Sequence, residues 1–339
     1  MRLPPVKDLE PKRGKKISEL LKEFSTCGGF TAQKLGEALE IARRMYSERE
    51  LFAFLSFPAC IVATGVRGVL KEIVRRGFAD MVITTCGTLD YDLARIWKPY
   101  YCGSFALDDK ELLKKHFHRI GSVVTPQSNY GEILEEKLQP ILKEICASKK
   151  ELATHELIWE IGRRIAREKN ARDSIIYWCY RRKIPVIIPG ITDGAVGSQL
   201  WIFWESHRDF SINLFKDEHL LSDVIFTAKK TGALIIGGGI SKHHTIWWNQ
   251  FKAGLDYAIY ITTAVEWDGS LSGAPPREAI SWKKIKPQAK YVQVEGDATV
   301  LLPLLFHALI DEMPQRLGNE RGKQTKNNYY SPLFAKHEG

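Results

Sequence analysis

The sequence predicts an α/β fold: a buried, mainly parallel sheet with helices on both faces and a helical arm at the start. Three observations lead there. Short apolar runs recur along the chain, most of them lacking the alternation of a half-exposed strand. Each ends in small or polar residues, and a helical pattern often follows. The loops that close these runs are rich in Gly, Thr and Asp, and in such sheets ligands bind outside the carboxyl ends of the strands.

The elements follow in order. The first stretch, to about Arg44, is basic and helical, with apolar residues at helical spacing from Ile17 to Phe24 and from Ala32 to Met45 and with Gly28-Gly29 between them. Met81-Val82-Ile83 then leads into Thr84-Thr85-Cys86-Gly87-Thr88 and a helix from Asp90 to Ile96. Pro185-Val186-Ile187-Ile188 leads into Pro189-Gly190-Ile191-Thr192-Asp193-Gly194, and Ala233-Leu234-Ile235-Ile236 into Gly237-Gly238-Gly239 and a helix through Trp247 and Phe251. Tyr257 to Ile261 leads into Thr262-Thr263-Ala264, and Tyr291 to Val294 into Glu295-Gly296-Asp297-Ala298-Thr299 with an apolar helix to about Leu309. The expected organisation is a helical arm over residues 1–45, an α/β domain over 46–313, and a polar, basic tail over 314–339, either a loose end or a subunit-contact arm.

Composition narrows the class. The 339 residues are 44% hydrophobic and 26% charged, as in a folded chain with a sizeable core. No apolar run approaches the roughly 18–20 residues of a membrane span, and the opening lacks an apolar signal core. The expectation is a cytoplasmic protein. The net charge of +9 permits an acidic partner, but zinc-finger spacing and aromatic-interleaved basic repeats are missing, so nucleic acid is not expected. The six cysteines are scattered, never spaced C-x-x-C, and read as free thiols. No metal site is expected. His116-Phe117-His118 has strand spacing for a metal but lies in a run that reads as helical.

Several motifs carry chemistry. Glu266-Trp267-Asp268-Gly269-Ser270-Leu271-Ser272-Gly273 is a turn-rich acidic loop, followed by Glu278 through Ile285 with a carboxylate, an indole and lysines close together. A carboxylate binds an ammonium, an indole covers methylenes or faces a cation, and a desolvated lysine becomes a nucleophilic amine. The same residues also read as a surface loop before an edge strand. Gly237-Gly238-Gly239 lets backbone approach a phosphate with helix N–H groups behind it, though it is not G-x-G-x-x-G. Asp193 and Asp297 at strand ends suit a ribose; Asp is equally a helix cap, the simpler reading for Asp297 alone. In Lys242-His243-His244, one histidine could serve as an acid or base.

In chain order these segments resemble the deoxyhypusine synthase family, over roughly residues 6 to 310. The resemblance runs through Arg13-Gly14, Ser128-Asn129-Tyr130, Thr192-Asp193-Gly194, the three glycines, Lys242-His243-His244, Asp256-Tyr257 opening the strand that holds Tyr260, Asp268-Gly269-Ser270, and Glu278 to Ile285. It implies Rossmann-like, doubly wound subunits forming a homotetramer with sites at a dimer interface. It implies NAD as cofactor and transfer of the aminobutyl group of spermidine, through an imine on an enzyme lysine, to one lysine of the translation initiation factor 5A precursor. By position, Lys284 would be the nucleophile and His243 would assist proton transfer. Trp282 would line the polyamine chain and Glu278 would anchor an amine. Thr85, Cys86, Gly87, Asp193, Gly238, Thr263, Asp297 and Ala298 would hold NAD, with Asp268 and Ser272 in the same loop shell.

The chain departs from the eukaryotic pattern at several of these places. Ala59-Cys60 stands where those members have Ser-Asn, and Asp90-Tyr91 where they have paired acids. Ser198 and Leu271 replace two acids of the polyamine pocket, the latter beside Gly269 and Ser270, and Lys283 replaces a glycine next to the nucleophile. Loss of charge-assisted contacts would weaken or redirect amine binding; Asp90, Glu266 or Glu278 could compensate. Two alternatives therefore stay open: aminobutyl transfer to a free amine, as in homospermidine formation, and a catalytically silent NAD-binding paralogue.

Overall fold

The structure is a computed structural model that describes residues 3–316. The expected basic tail lies outside the described residues from position 317 on. Two helices come first, α1 (Ile17–Phe24) and α2 (Phe30–Ser47). Strand β1 (Leu51–Phe57), α3 (Val66–Arg75), β2 (Met81–Thr84) and α4 (Gly87–Trp97) follow. An excursion holds α5 (Asp109–Lys114) and an antiparallel pair of strands, Phe117–Ile120 and Val123–Pro126. Then come α6 (Gly131–Cys146), α7 (Thr154–Ile165), α8 (Ile175–Arg182), β3 (Val186–Ile187), α9 (Ala195–Ser206) and α10 (Leu214–Thr227). The last third is β4 (Lys230–Ile236), α11 (Gly239–Asn249), β5 (Leu255–Thr262), α12 (Pro276–Ser281), β6 (Ile285–Glu295) and α13 (Ala298–Glu312).

The six strands form one sheet in the order β6-β5-β4-β1-β2-β3, and every neighbouring pair is parallel. Read from the β3 edge, that is the doubly wound order of a Rossmann-type sheet, and the order reverses between β1 and β4. The carboxyl ends are flush: Phe57 lies opposite Thr84, Ile236 opposite Ile261, and Thr262 opposite Glu295. The loops after β1, β2, β4, β5 and β6 therefore open on one edge of the sheet. The sequence expected α/β with a mainly parallel sheet, and the sheet is wholly parallel.

The strand the sequence reading passed over, β1, is the central one. All seven of its residues are buried. Leu51, Ala53, Leu55 and Phe57 enter the core on one face, while Phe52 and Phe54 enter the core on the other. A strand covered on both sides loses its alternation, and with it the signal that separates strand from helix in so short a run. The first face is covered by α2, α3, α8 and α13. Here α2 is no free arm, because Leu35, Leu39, Ala42 and Met45 are buried in that core. The second face carries α10 and α11. Its outer side leaves Phe215, Phe226, Trp247 and Phe251 exposed, while Trp201 and Trp204 are exposed on α9, whose Val196, Leu200 and Phe203 pack into the first core. Among the described residues, no helix is long and apolar enough to cross a membrane. The run around His116 that reads as helical is corrected: α5 stops at Lys114, His116 turns at φ 58°, and Phe117–Ile120 is a strand.

An acid-sensitive node sits on α7. Glu160 is bonded to Lys149 at 2.9 Å, to Arg163 at 2.9 Å and to Arg164 at 2.6 Å. Burial pushes its carboxyl up, but the bonds from these three cations outweigh it and bring its pKa to about 2. A carboxyl held below its unfolded value gives stability that is present above about pH 4.5 and lost as pH falls towards 2. Allowing for solvent screening, the loss is on the order of 2 kcal/mol. Urea melts of Glu160→Gln are expected to show a flatter acid limb between pH 5 and roughly pH 3 than those of the parent; parallel limbs would rule the node out.

Candidate active site

The loops at the switch point approach closely. Thr85 Oγ1 accepts a hydrogen bond from the Ala59 amide at 3.1 Å, which ties the loop after β2 to the loop after β1. A Cβ on Gly87 would lie 2.9 Å from the Ala59 Cβ, and one on Gly237 would lie 3.2 Å from the Pro58 ring. Gly237 and Gly239 adopt φ of 65° and 66°, the left-handed region that glycine enters without strain. Gly239 opens α11 and has nothing within 4 Å of its missing Cβ. Backbone at a helix N-terminus thus faces open space between the carboxyl ends of β1 and β4, the arrangement that receives a pyrophosphate. Asp193 and Thr263 are exposed on the same edge.

Gly238 has a different task. A Cβ there would stand 2.1 Å from Ser272 Oγ, so the loop between β5 and α12 is seated directly on the glycine. Thr262 Oγ1 donates to the Ser272 carbonyl at 3.3 Å. Asp268 Oδ1 accepts from the Ser270 amide at 2.6 Å, and Gly269 turns at φ 70°. Bonds from Ser270 hold the Asp268 carboxyl below the usual range. Leu271 is half-buried and its carbonyl faces α11, where the Lys242 ammonium donates to it at 2.7 Å.

The lysine cluster lies lower on α11. Lys284 is 7% exposed, and its Nζ stands 5.6 Å from the Trp247 ring centroid and 5.1 Å from that of Trp282. His243, one helical turn before Trp247, stacks on that indole at 5.5 Å. Burial first, then the charges of Lys284 and His244, keep the His243 imidazole below its ordinary pKa, so at neutral pH its free nitrogen can take a proton. His244 turns away towards Glu218 on α10, 3.2 Å distant. Glu278 lies exposed on the first turn of α12. Lys283 holds φ 56°, which disfavours a side chain with a Cβ. Lys283→Gly is expected to raise stability by about 0.5–1 kcal/mol in urea melts; an unchanged midpoint would mean the turn is unstrained.

Other expected residues are occupied locally. Asp90 is buried: its Oδ1 accepts from the Val196 amide at 2.8 Å, and its Oδ2 from the Ala195 amide and the Tyr130 hydroxyl, both at 2.9 Å. It caps α9 from a distant part of the chain, and an amine would have to displace one of these donors. Burial raises its pKa despite those bonds. Burial, with help from Asp90, pushes the Cys86 thiol up to about 12, so it is an inert packing group against Gly194. Tyr91 stacks obliquely on Tyr130 at 5.9 Å, and exposed Ser198 bonds back to the Gly194 carbonyl at 3.2 Å. Asp297 caps α13 through the Thr299 amide at 2.8 Å, with Ala298 as the first helical residue. Sequence reasoning missed Trp247 and Lys242. The signal for Trp247 was its i+4 spacing from His243; a buried lysine leaves no signal in a single sequence.

The Lys284 backbone and the cofactor loops lie at opposite ends of β5, and α11 bridges them on the side-chain level, running from Gly239 past His243 to Trp247. The Lys284 carbonyl accepts from the Leu255 amide, at the amino end of β5, whereas Thr262 closes the carboxyl end. The seven residue steps between them span roughly 23 Å.

Comparison with known proteins gives a consistent likeness. The family profile described as deoxyhypusine synthase matches residues 19–309. A "Probable deoxyhypusine synthase" of Thermoplasma acidophilum is 56% identical over 302 residues, which is 89% of this chain and 96% of that protein. Namesakes from Picrophilus torridus and Sulfolobus acidocaldarius are 56% and 48% identical, each over 89% of this chain and 95% of theirs. A crystal structure from Entamoeba histolytica bearing the same family name superposes with a TM-score of 0.63 at 19% identity, over 92% of this chain and 99% of that one, a likeness of fold.

Proposed function

The chain belongs to the deoxyhypusine synthase family, and from that premise we propose that it moves the aminobutyl group of spermidine, by way of Lys284, to a lysine of the translation initiation factor 5A precursor in the cytoplasm. The observation that carries the reading is the burial of Lys284 between Trp247 and Trp282, with a neutral His243 on the first of those rings. His243 accepts the proton that Lys284 must lose before its amine can attack. Lys284 Nζ then bonds to the imine carbon of the oxidised polyamine, the three-carbon amine leaves, and the four-carbon unit stays as an imine on the lysine. The acceptor lysine repeats the exchange and frees Lys284. The indoles cover the methylenes, and Glu278 draws the distal ammonium.

The open backbone at Gly239, the left-handed glycines and the switch-point loops fit NAD. Thr85, Gly87, Asp193 and Thr263 would hold it, with Gly238 seating the Ser272 loop beside them. Bound there, NAD would supply the hydride acceptor for the opening oxidation and the hydride donor for the closing reduction. The family likeness supports a site at a dimer interface. Exposed Phe215, Phe226 and Phe251 on the α10–α11 side suit a subunit contact of the homotetramer that the family likeness implies.

Purified protein, NAD and spermidine labelled in its butyl portion, trapped with borohydride, test this directly. Label on Lys284 that passes to the added factor precursor is the expected result. Capture without passage would favour a free-amine acceptor. No capture by a protein that binds NAD would overturn the reading.

A further inference from the structure

Lys242 sits on the first turn of α11 beside His243, and the proposed reaction gives it nothing to do. It is 1% exposed. An ammonium is buried so completely only when it is paired or well bonded. Its Nζ donates to the Leu271 carbonyl at 2.7 Å and to the Ala274 carbonyl at 2.8 Å, and it lies 4.4 Å from the Tyr260 ring centroid. The two carbonyls bracket Ser272-Gly273, the part of the loop that rests on Gly238. With its donors committed to carbonyls, Lys242 is no second nucleophile.

The chain from Ala274 to Lys284 has few soft torsions. Pro275 and Pro276 fix φ at two positions. The short α12 follows, with Lys283 donating its amide to Ile280 and Lys284 donating to Ala279. A shift at Ala274 is therefore passed along to Lys284. We propose that Lys242 is the positioning residue for the nucleophile: its ammonium ties the loop at Leu271 and Ala274 to α11, the helix that carries His243 and Trp247, and so sets where Lys284 meets those two side chains. This rests on the reading of Lys284 as the nucleophile. Burial lowers the Lys242 pKa to about 8 while the Glu278 charge opposes it, so the ammonium form prevails at neutral pH. A charge-assisted bond to each of two carbonyls is a stronger tie than a neutral donor makes.

The test compares the full-length parent with Lys242→Met and Lys242→Gln in two measurements. Hydrogen exchange of residues 265–281, without substrate, reads the tie itself. Lys242→Met is expected to exchange there at least tenfold faster, and Lys242→Gln, which keeps two amide donors, less so. Label transfer from spermidine reads the consequence: kcat at least tenfold lower in the methionine variant with KM for spermidine within about threefold, and part of the loss recovered by glutamine. Unchanged exchange in both variants, or unchanged kcat in both, overturns the proposal. Should the methionine variant exchange throughout the molecule, the glutamine variant decides alone. A parent that captures no label sinks the nucleophile assignment, and the exchange arm still reports on the tie.

Discussion

Replacing Lys284 by alanine is expected to lower aminobutyl transfer at least about a thousandfold and to abolish borohydride-stable label on the protein. The loss should be of this size because in the proposed reaction the amine is a reactant in the covalent steps, and no neighbour can replace it: Lys242 is bonded to two carbonyls, and Lys283 is exposed in a left-handed turn. Lys284→Arg separates charge from nucleophilicity. The guanidinium keeps a cation between Trp247 and Trp282 but stays protonated, so spermidine-dependent label should vanish equally while the fold is retained. NAD affinity, followed by fluorescence titration of NADH, should hold within a few-fold in both variants, since the switch-point loops lie at the other end of the sheet. Label captured by the alanine variant would move the nucleophile elsewhere.

Gly238→Ala is expected to cost about 3 kcal/mol or more of stability and to weaken NAD binding at least a hundredfold. The added methyl would stand 2.1 Å from Ser272 Oγ, 2.5 Å from its Cβ and 2.4 Å from its Cα. A side chain could rotate aside, but the Cα belongs to backbone held by Thr262 and flanked by the carbonyls that Lys242 binds. Relief therefore requires the whole loop to lift or the start of α11 to shift, and overpacking of this kind is among the larger effects of a single methyl. Ser272→Gly in the same chain removes two of the three clashes and leaves the Cα, so it should restore only part of the stability. Urea melts and NADH titrations of the single and double variants check both statements; an alanine variant with parental melting would mean the loop moves freely.

The strands after residue 80 were legible because each apolar run stops at a loop of Gly, Thr or Asp, a local pattern. The central strand was not, because Leu51 to Phe57 buries both faces and presents no period to read. Strand order is a matter of long-range pairing and is not written in any window: β1 lies beside β4, some 180 residues on. At the site, Lys284 lies beside Trp282 and Trp247, and His243 stacks on Trp247. Asp90 illustrates the opposite case. Its type suits an amine, yet the amides it accepts from belong to α9, about a hundred residues away, and only the folded chain brings them together. Lys242 reads as a surface charge in sequence, because burial of a lysine is decided by acceptors on a loop that folds over it later.

The pairing of β5 with β6 holds slack. Leu255 pairs with Ile285, but Tyr257 already pairs with Lys290, so residues 286–289 form a bulge in the edge strand. On one side of it the Leu255–Lys284 bond fixes the backbone at Lys284; on the other, a regular ladder runs from Lys290 to Glu295 and delivers Gly296 and Asp297 to the far edge. The segment Lys286-Pro287-Gln288-Ala289 is thus a length buffer. Insertions or deletions there can be absorbed without altering the register of either end, whereas a single-residue change elsewhere in this strand would turn every later side chain to the wrong face. In the history of such a chain, this is where length can drift while the two ends of the strand keep their own neighbours.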